Sequence, residues 1–276
     1  MNNSLASIRL EGRSRYSNGL FLLSLSHAPT GCGVWPAWWL TDEEAWPRNG
    51  EIDIFETVNR QSRAKTAMHS TKGCEVGAAP RDMFTGEWDT AYGIPDKKTG
   101  IPRKDGKDAT NCYVYDPDQW LNQGCVAVSS DEDTVGPGFN EGGGGMFALE
   151  WDPGYGRVRS WAWRADNVPS AVLRSYETGR AGDTDDWGTP YGYFPIGDGT
   201  ECPSGHFRNM HVVFNLAFCG TVAGNRFKLD CPQEAEEYGS CEAYVSDKRN
   251  VEEAYWLIDG MRVWQRRFVE DSDEDA

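Results

Sequence analysis

The sequence lacks the patterns of several protein classes. It has no run of about 18 apolar residues that could cross a bilayer as a helix, and no internal repeat that would predict a propeller or a solenoid. It has few long stretches of Ala, Leu, Glu and Lys, in which helices would be expected. Instead it has 31 Gly, 14 Pro, 12 Trp, 11 Tyr and 11 Phe among 276 residues, which favours β structure in one large domain.

Positive charge is also scarce. The chain has 27 Lys and Arg against 43 Asp and Glu, a formal net charge of −16. Such a surface repels phosphate backbones and anionic lipid headgroups, so we expect neither nucleic acid nor a membrane as a partner. A neutral polysaccharide feels no such repulsion. The glycine run at Gly142–Gly145 has no Walker or Rossmann pattern around it, so we expect no cofactor. We also expect the protein to be a monomer.

The eight cysteines lack the spacing of a metal site. There is no C-x-x-C pair and no histidine at zinc-like spacing, and His206 and His211 have no convergent ligands, so no metal is expected. Disulfides are predicted, with eight buried free thiols as the alternative, and the spacing leaves the pairing open. Disulfides indicate a secreted or otherwise extracytoplasmic protein. The cysteines are Cys32, Cys74, Cys112, Cys125, Cys202, Cys219, Cys231 and Cys241.

A secretory signal does not precede the first predicted strand. Met1 runs almost directly into the strand-like Ile8–Glu11, without a charged or apolar leader. We therefore expect this N-terminus to be truncated and the signal peptide to belong to the full-length form. At the other end, residues 269–276 predict a disordered acidic tail, which leaves 1–268 as a single domain.

Strand patterns recur along the chain at irregular spacing. A hairpin is predicted from Ile8 to Leu25 around Asn18-Gly19, long loops over residues 72–145, and short helices at 233–238 and 247–253. Strands separated by loops favour an all-β antiparallel sandwich over βαβ units. Further strands are predicted at 51–58, 146–151, 158–163, 210–218 and 255–264.

The most informative strand alternates acidic and apolar residues. In an extended strand Glu51 and Asp53 point to one face and Ile52 to the other. Regular alternation would turn Glu56 towards the core, but a β-bulge at Ile54-Phe55 returns it to the face of the other two acids. The alternative is an ordinary solvated acidic face. No Lys or Arg interrupts the strand, however, although like charges so close repel one another.

Glycoside hydrolysis gives a reason to keep these acids together. A retaining mechanism needs a carboxylate that attacks the anomeric carbon and an acid that protonates the leaving oxygen, with the carboxyls about 5 to 5.5 Å apart. We predict Glu51 as the ionised nucleophile and Glu56 as the acid/base. Asp53 would hydrogen-bond to the nucleophile and help to separate the two pKa values. Concave curvature is required, because the Cα atoms on a flat strand lie on the order of 13 Å apart.

The chain resembles glycoside hydrolase family 16, in particular its fungal laminarinase-like members. The resemblance is carried by the E-x-D-x-x-E strand at 51–56, by Trp-Pro-x-x-Gly at 46–50, by Gly-Val-Trp-Pro-Ala-Trp-Trp-Leu at 33–40, and by Phe-Asn-Leu-Ala-Phe-Cys-Gly at 214–220. It implies a β-jelly-roll sandwich of the concanavalin A-like lectin/glucanase type, with a glucan cleft on its concave face. It implies endo-acting, retaining hydrolysis of β-1,3 and mixed β-1,3;1,4 glucans. Family members usually have several strands before the position that matches Ile8, so we expect N-terminal strands to be missing here.

Four further residues are candidates for substrate binding. Indole faces stack on pyranose rings, so Trp46 is predicted as a sugar platform, and Trp39 matches a cleft position of the family, with core packing as the alternative for both. His69 matches a position near the cleavage subsite, although a lone histidine in a strand is more often structural. Asn59, just past the acid/base, could contact sugar hydroxyls or cap the strand end.

Two other functions remain open from the sequence. A non-catalytic β-glucan-binding protein on the same scaffold would need the aromatic cleft but not both a nucleophile and an acid, so the three acids favour the enzyme. Transglycosylation would use the same covalent intermediate with a sugar acceptor in place of water.

Overall fold

The computed structural model describes residues 6–90 and 106–266, which form two stacked antiparallel sheets. The predicted all-β sandwich is confirmed. The predicted acidic tail lies outside the described residues, and the expectation of missing N-terminal strands stays a prediction. No helix in the described part of the chain combines the length and the apolar character needed to cross a membrane.

Within residues 6–90 and 106–266, the larger sheet has seven strands in the order β1-β11-β3-β4-β5-β7-β6. The catalytic candidates lie on β4, close to the middle of this sheet, where neighbours on both sides fix the position of the strand. The bounds are β1 Ile8–Glu11, β3 Val34–Thr41, β4 Glu51–Glu56, β5 Lys65–His69, β6 Glu87–Trp88, β7 Cys125–Val128 and β11 His211–Phe218.

The described part of the second sheet has five strands in the order β10-β9-β8-β2-β12. Alternate residues of both sheets face each other and form the main core, including Phe21 and Phe147 from this sheet and Trp38 and Ile52 from the other. The bounds are β2 Gly19–His27, β8 Gly145–Asp152, β9 Arg157–Arg164, β10 Gly192–Pro195 and β12 Leu257–Trp264.

Helical structure is confined to the connections. The prediction for 233–238 is confirmed within α4, whereas 247–253 contains only a 3-10 turn, Lys248–Val251. Helix α2, Ser170–Thr178, was not predicted; it is short, and only Val172 and Ser175 of its residues are buried. The helices are α1 Gly136–Glu141, α2 Ser170–Thr178, α3 Asn225–Asp230, α4 Pro232–Tyr238 and α5 Cys241–Val245.

Two sequence predictions about local structure are wrong. The segment 8–25 is not a hairpin, because β1 pairs with β11 while β2 pairs with β8 and β12 in the other sheet. The turn at Asn18-Gly19 therefore carries the chain between sheets. Residues 72–145 are not only loops, since they include β6, β7 and α1. All four residues of β7 are buried, so the strand has no alternating pattern to recognise.

All eight cysteines form disulfides, which confirms the disulfide prediction. Two of the bonds attach the segment that carries α3–α5 to the sandwich, and cross-links that close long loops stabilise the fold mainly by restricting the unfolded chain. The pairs are Cys32–Cys231, Cys74–Cys202, Cys112–Cys125 and Cys219–Cys241.

Candidate active site

A β-bulge in β4 brings the three acids to one face. Opposite β3, Phe55 pairs with Trp38 and Asp53 with Trp39, so Ile54 is the extra residue on β4. Ile54 and Phe55 are consequently both buried, at 1% exposure. Glu51, Asp53 and Glu56 lie opposite Thr41, Trp39 and Ala37, which are alternate residues of β3 and share a face. The predicted bulge is confirmed.

The inner face of β4 anchors the strand to the second sheet. Phe55 packs edge-on against Phe147 of β8, with ring centroids 4.9 Å apart, and lies 5.1 Å from the ring of Trp256. Ile52 and Ile54 complete this inner face. The carboxylates on the outer face are therefore carried by a backbone that is held by packing and by hydrogen bonds to β3 and β5.

His69 lies beside the first two acids. It pairs directly with Glu51 across β4 and β5, and its Nε2 lies 3.0 Å from Asp53 Oδ2 and 3.7 Å from Glu51 Oε1. Its Nδ1 is buried without a hydrogen-bond partner among the described residues. The hydrogen bond to Asp53 therefore uses Nε2, whose N–H donates to the carboxylate. The structure thus places His69 at the acids, and its contact with a substrate stays a prediction.

Burial dominates the electrostatics of the cluster. It raises the pKa of Glu51 to about 8, with a further rise from the charge of Asp53 and an opposing effect of His69. The pKa of Asp53 is also raised well above its usual value, by burial and by the charge of Glu56. Both shifts point upward because two neighbouring buried carboxylates lack a full complement of positive charge.

Glu56 is held from the neighbouring strand. The indole Nε1 of Trp35 donates a hydrogen bond of 2.6 Å to Glu56 Oε1. In the sequence Trp35 stands out only as part of the motif at 33–40, and its contact with Glu56 was not predicted. The strand register explains the contact, since Trp35 is two residues before Ala37 and Ala37 pairs with Glu56. Once β3 and β4 are aligned, the two side chains must share a face.

The two predicted tryptophans flank the acids. Trp39 is half-buried on the face of Asp53; its Nε1 donates to Asn215 Oδ1 at 2.6 Å, and the Arg9 guanidinium lies 4.8 Å above its ring. Trp46 partly offsets the raised pKa of Glu51, which places its indole close to that carboxyl. Its Nε1 nevertheless reaches no partner in hydrogen-bonding geometry within the described chain. Both positions are compatible with sugar contact, which stays a prediction.

Asn59 does not reach the cleft. It is 2% exposed, its Oδ1 accepts from Gly33 N at 2.8 Å, and its Nδ2 donates to Asp230 Oδ2 at 2.8 Å. Because the side-chain amide is used inside the protein, the structure corrects the prediction of sugar contact in favour of the alternative, a structural role at the strand end. Asn59 connects β3 to the disulfide-bonded helical segment.

The acids and His69 also have the composition of a metal site. One ligand atom from each of Glu51, Asp53 and His69 lies within 4.8 Å of the others. A metal-binding histidine normally donates its second ring N–H to an acceptor, yet Nδ1 of His69 has no such partner in the described residues. The arrangement therefore suits proton transfer and carboxylate chemistry better than metal binding.

The fold and the site together define a class of protein. A β-bulge places the carboxylates on the outer face of a β-sandwich, and paired carboxyl groups of this kind are the catalytic residues of glycoside hydrolases. The chain belongs to glycoside hydrolase family 16, because the family model described as an XgeA-like catalytic GH16 domain matches residues 1–264. This confirms the resemblance seen in the sequence.

Fungal relatives support the assignment. An endo-1,3(4)-beta-glucanase of Arthroderma benhamiae is 35% identical over 95% of this chain and 51% of its own length. A probable glycosidase of Schizosaccharomyces pombe is 33% identical over 94% of this chain and 54% of its own length. The chain thus spans about half the length of these curated relatives.

Solved structures are similar over most of the chain. Laminarinase 16A from Phanerochaete chrysosporium, with two beta-glucans in its donor and acceptor sites, is 30% identical with a TM-score of 0.72, covering 93% of this chain and 76% of its own. An elongating family 16 beta-1,3-glucosyltransferase is 29% identical with a TM-score of 0.71 and the same coverage. The jelly-roll sandwich is therefore confirmed.

Proposed function

We propose that this chain is an endo-acting, retaining β-glucanase for β-1,3 and mixed β-1,3;1,4 glucans. The observation that carries the proposal is the bulge at Ile54, which places Glu51, Asp53 and Glu56 on one face of β4. Glu51 attacks the anomeric carbon, and Glu56 first protonates the leaving oxygen and then deprotonates water. The related glucanases and the glucan-bound laminarinase support this substrate class.

The raised pKa values of Glu51 and Asp53 fit this mechanism. Near neutral pH the buried pair of Glu51 and Asp53 retains a proton, and the reactive form is the one that carries it on Asp53, because only an ionised Glu51 can attack. The energetic penalty on the Glu51 charge comes from burial without sufficient positive charge. An oxocarbenium-like transition state brings positive charge next to Glu51 and relieves that penalty, so the site favours the transition state over the ground state.

Transglycosylation is a second candidate function. The glucosyltransferase matches the chain almost as well as the laminarinase, with TM-scores of 0.71 and 0.72. The two reactions share the covalent intermediate and differ in whether water or a sugar accepts the glycosyl group.

The proposal also covers location and oligomeric state. The four disulfides are in line with secretion of the natural protein, and we propose that the protein is a monomer.

The test is the product pattern from laminarin and lichenan. Release of new reducing ends, with shorter oligosaccharides by mass spectrometry, supports hydrolysis. Products longer than a defined laminari-oligosaccharide substrate would show transfer. Binding to laminarin without any product from the folded chain would contradict both enzyme activities and leave a binding protein.

A further inference from the structure

The Trp35 indole is the partner of the Glu56 carboxyl. The Nε1 to Oε1 distance is 2.6 Å, and among the described residues no other protein group hydrogen-bonds to this carboxyl. Glu56 is half-buried, so the remainder of its carboxyl is open to the face on which the substrate would lie. The two oxygens of Glu56 are therefore in different settings: Oε1 is bonded to the protein and Oε2 is free.

The position of Trp35 is set by its surroundings. Pro36 follows it and restricts its backbone to an extended conformation. Its ring faces Gly220, where an added Cβ would lie 3.7 Å from the indole. That turn is fixed by the hydrogen bond from Cys219 N to Gly33 O, 2.7 Å, and by the Cys219–Cys241 disulfide. The indole N–H is thus presented to Glu56 by a rigid part of the fold.

Indole chemistry determines which oxygen of Glu56 can carry the proton. The indole N–H of Trp35 is a donor only, so Oε1 must act as an acceptor whether Glu56 is protonated or ionised. When Glu56 is a carboxylic acid, its proton is consequently on Oε2. Bond cleavage moves this proton from Oε2 to the leaving glycosidic oxygen, and in the second step Oε2 takes a proton from the attacking water.

We propose that Trp35 is a positioning residue for the acid/base, because its indole N–H holds Oε1 of Glu56 and reserves Oε2 for proton transfer. This inference rests on the proposed glucanase function and adds a residue to its mechanism. Trp35 is not expected to touch the reacting atoms. Its contribution is limited to the steps in which Glu56 gives or takes a proton.

The experiment compares two substrates in Trp35→Phe, which keeps an aromatic ring and loses the N–H. Cleavage of laminarin expels a sugar hydroxyl, which is a poor leaving group and must be protonated by Glu56. Cleavage of a 2,4-dinitrophenyl β-laminaribioside expels 2,4-dinitrophenolate, which leaves without protonation. We expect kcat/KM on laminarin to fall by about 10- to 100-fold, part of the roughly 10²- to 10⁴-fold effect of general acid catalysis, with little change on the aryl glycoside. Glu56→Gln should show the same selective loss, and Trp35→Phe should add little to it on laminarin.

Trp264→Phe is the matched control. It also removes one indole hydrogen bond, from Trp264 Nε1 to Gly179 O at 2.9 Å, but on the five-stranded sheet. It should leave both activities unchanged. If Trp35→Phe does not fold, Trp35→Met is the second variant, because a flexible thioether fills the same space without a donor.

Equal losses on both substrates, or no loss on laminarin, would overturn the inference and leave the glucanase assignment intact. A wild-type chain that cleaves neither substrate would instead contradict the proposed function itself. The two failures are therefore distinguished by the wild-type rates.

Discussion

His69 Nε2 lies 3.0 Å from Asp53 Oδ2, at the centre of the acidic cluster. This contact joins β5 to β4 across the outer face of the sheet, and the same nitrogen lies 3.7 Å from the proposed nucleophile, Glu51. His69 and Asp53 act on the pKa of Glu51 in opposite directions, since the imidazole lowers it and the carboxylate raises it. Substitution of either residue should therefore change the pKa of Glu51 in a known direction.

Removing the nucleophile should abolish hydrolysis without unfolding the chain. Glu51→Gln keeps the shape of the side chain but cannot attack, so kcat on laminarin should fall by at least about 10³-fold. Laminarin binding, measured by calorimetry, should persist. Glu44→Gln changes an exposed acid a few residues away and should behave as wild type. Substantial hydrolysis by folded Glu51→Gln would be incompatible with the assigned role.

The stability of the protein should depend on pH through Glu51. Unfolded Glu51 has an ordinary pKa near 4.5, while burial raises the folded value to about 8. Between these values the folded state binds more protons than the unfolded state, so the free energy of unfolding decreases as pH rises. Melting temperatures from pH 5 to pH 8 should therefore fall for wild type. The fall should be smaller for Glu51→Gln, and parallel curves for the two proteins would contradict the prediction.

Substitution of His69 should shift the pH dependence of activity. The imidazole lowers the pKa of Glu51, so His69→Gln should raise that pKa and move the acid limb of the kcat/KM profile to higher pH. A control is provided by Asp53→Asn, which removes the like charge that raises the pKa of Glu51. Its acid limb should move to lower pH, although its overall rate falls. Shifts of both variants in the same direction would refute this electrostatic account.

Asn59 should affect stability rather than substrate binding. Asn59→Ala leaves the buried N–H of Gly33 unpaired, which costs about 1 to 3 kcal/mol of unfolding free energy. Asn122→Ala is the matched control: Asn122 has a similar φ, 59° against 56°, but is exposed, so it reports the cost of positive φ alone. KM for laminarin should be unchanged in folded Asn59→Ala. A large rise in KM at unchanged stability would restore the sugar-contact hypothesis.

Part of the site could be predicted because its signal is local. Three acids interrupted by Ile52, Ile54 and Phe55 require the extra residue if Glu56 is to stay out of the core, and the structure shows that residue as Ile54. The disulfide prediction likewise needed only the number and spacing of the cysteines. In contrast, Asn59 looked equally suited to sugar contact or capping, because its partners Gly33 and Asp230 are distant in sequence.

The β class, the acidic strand with its bulge and the family could all be recognised before folding was considered, since alternation, residue type and motif spacing are properties of short segments. The three-dimensional fold was needed to show which strands pair, which cysteines join, and that Trp35 donates a hydrogen bond to Glu56. It also decided the upward pKa shifts of Glu51 and Asp53. Pairing and burial depend on contacts between segments far apart in the chain. Their free energies come from packing and desolvation, which exist only once the sheets have assembled.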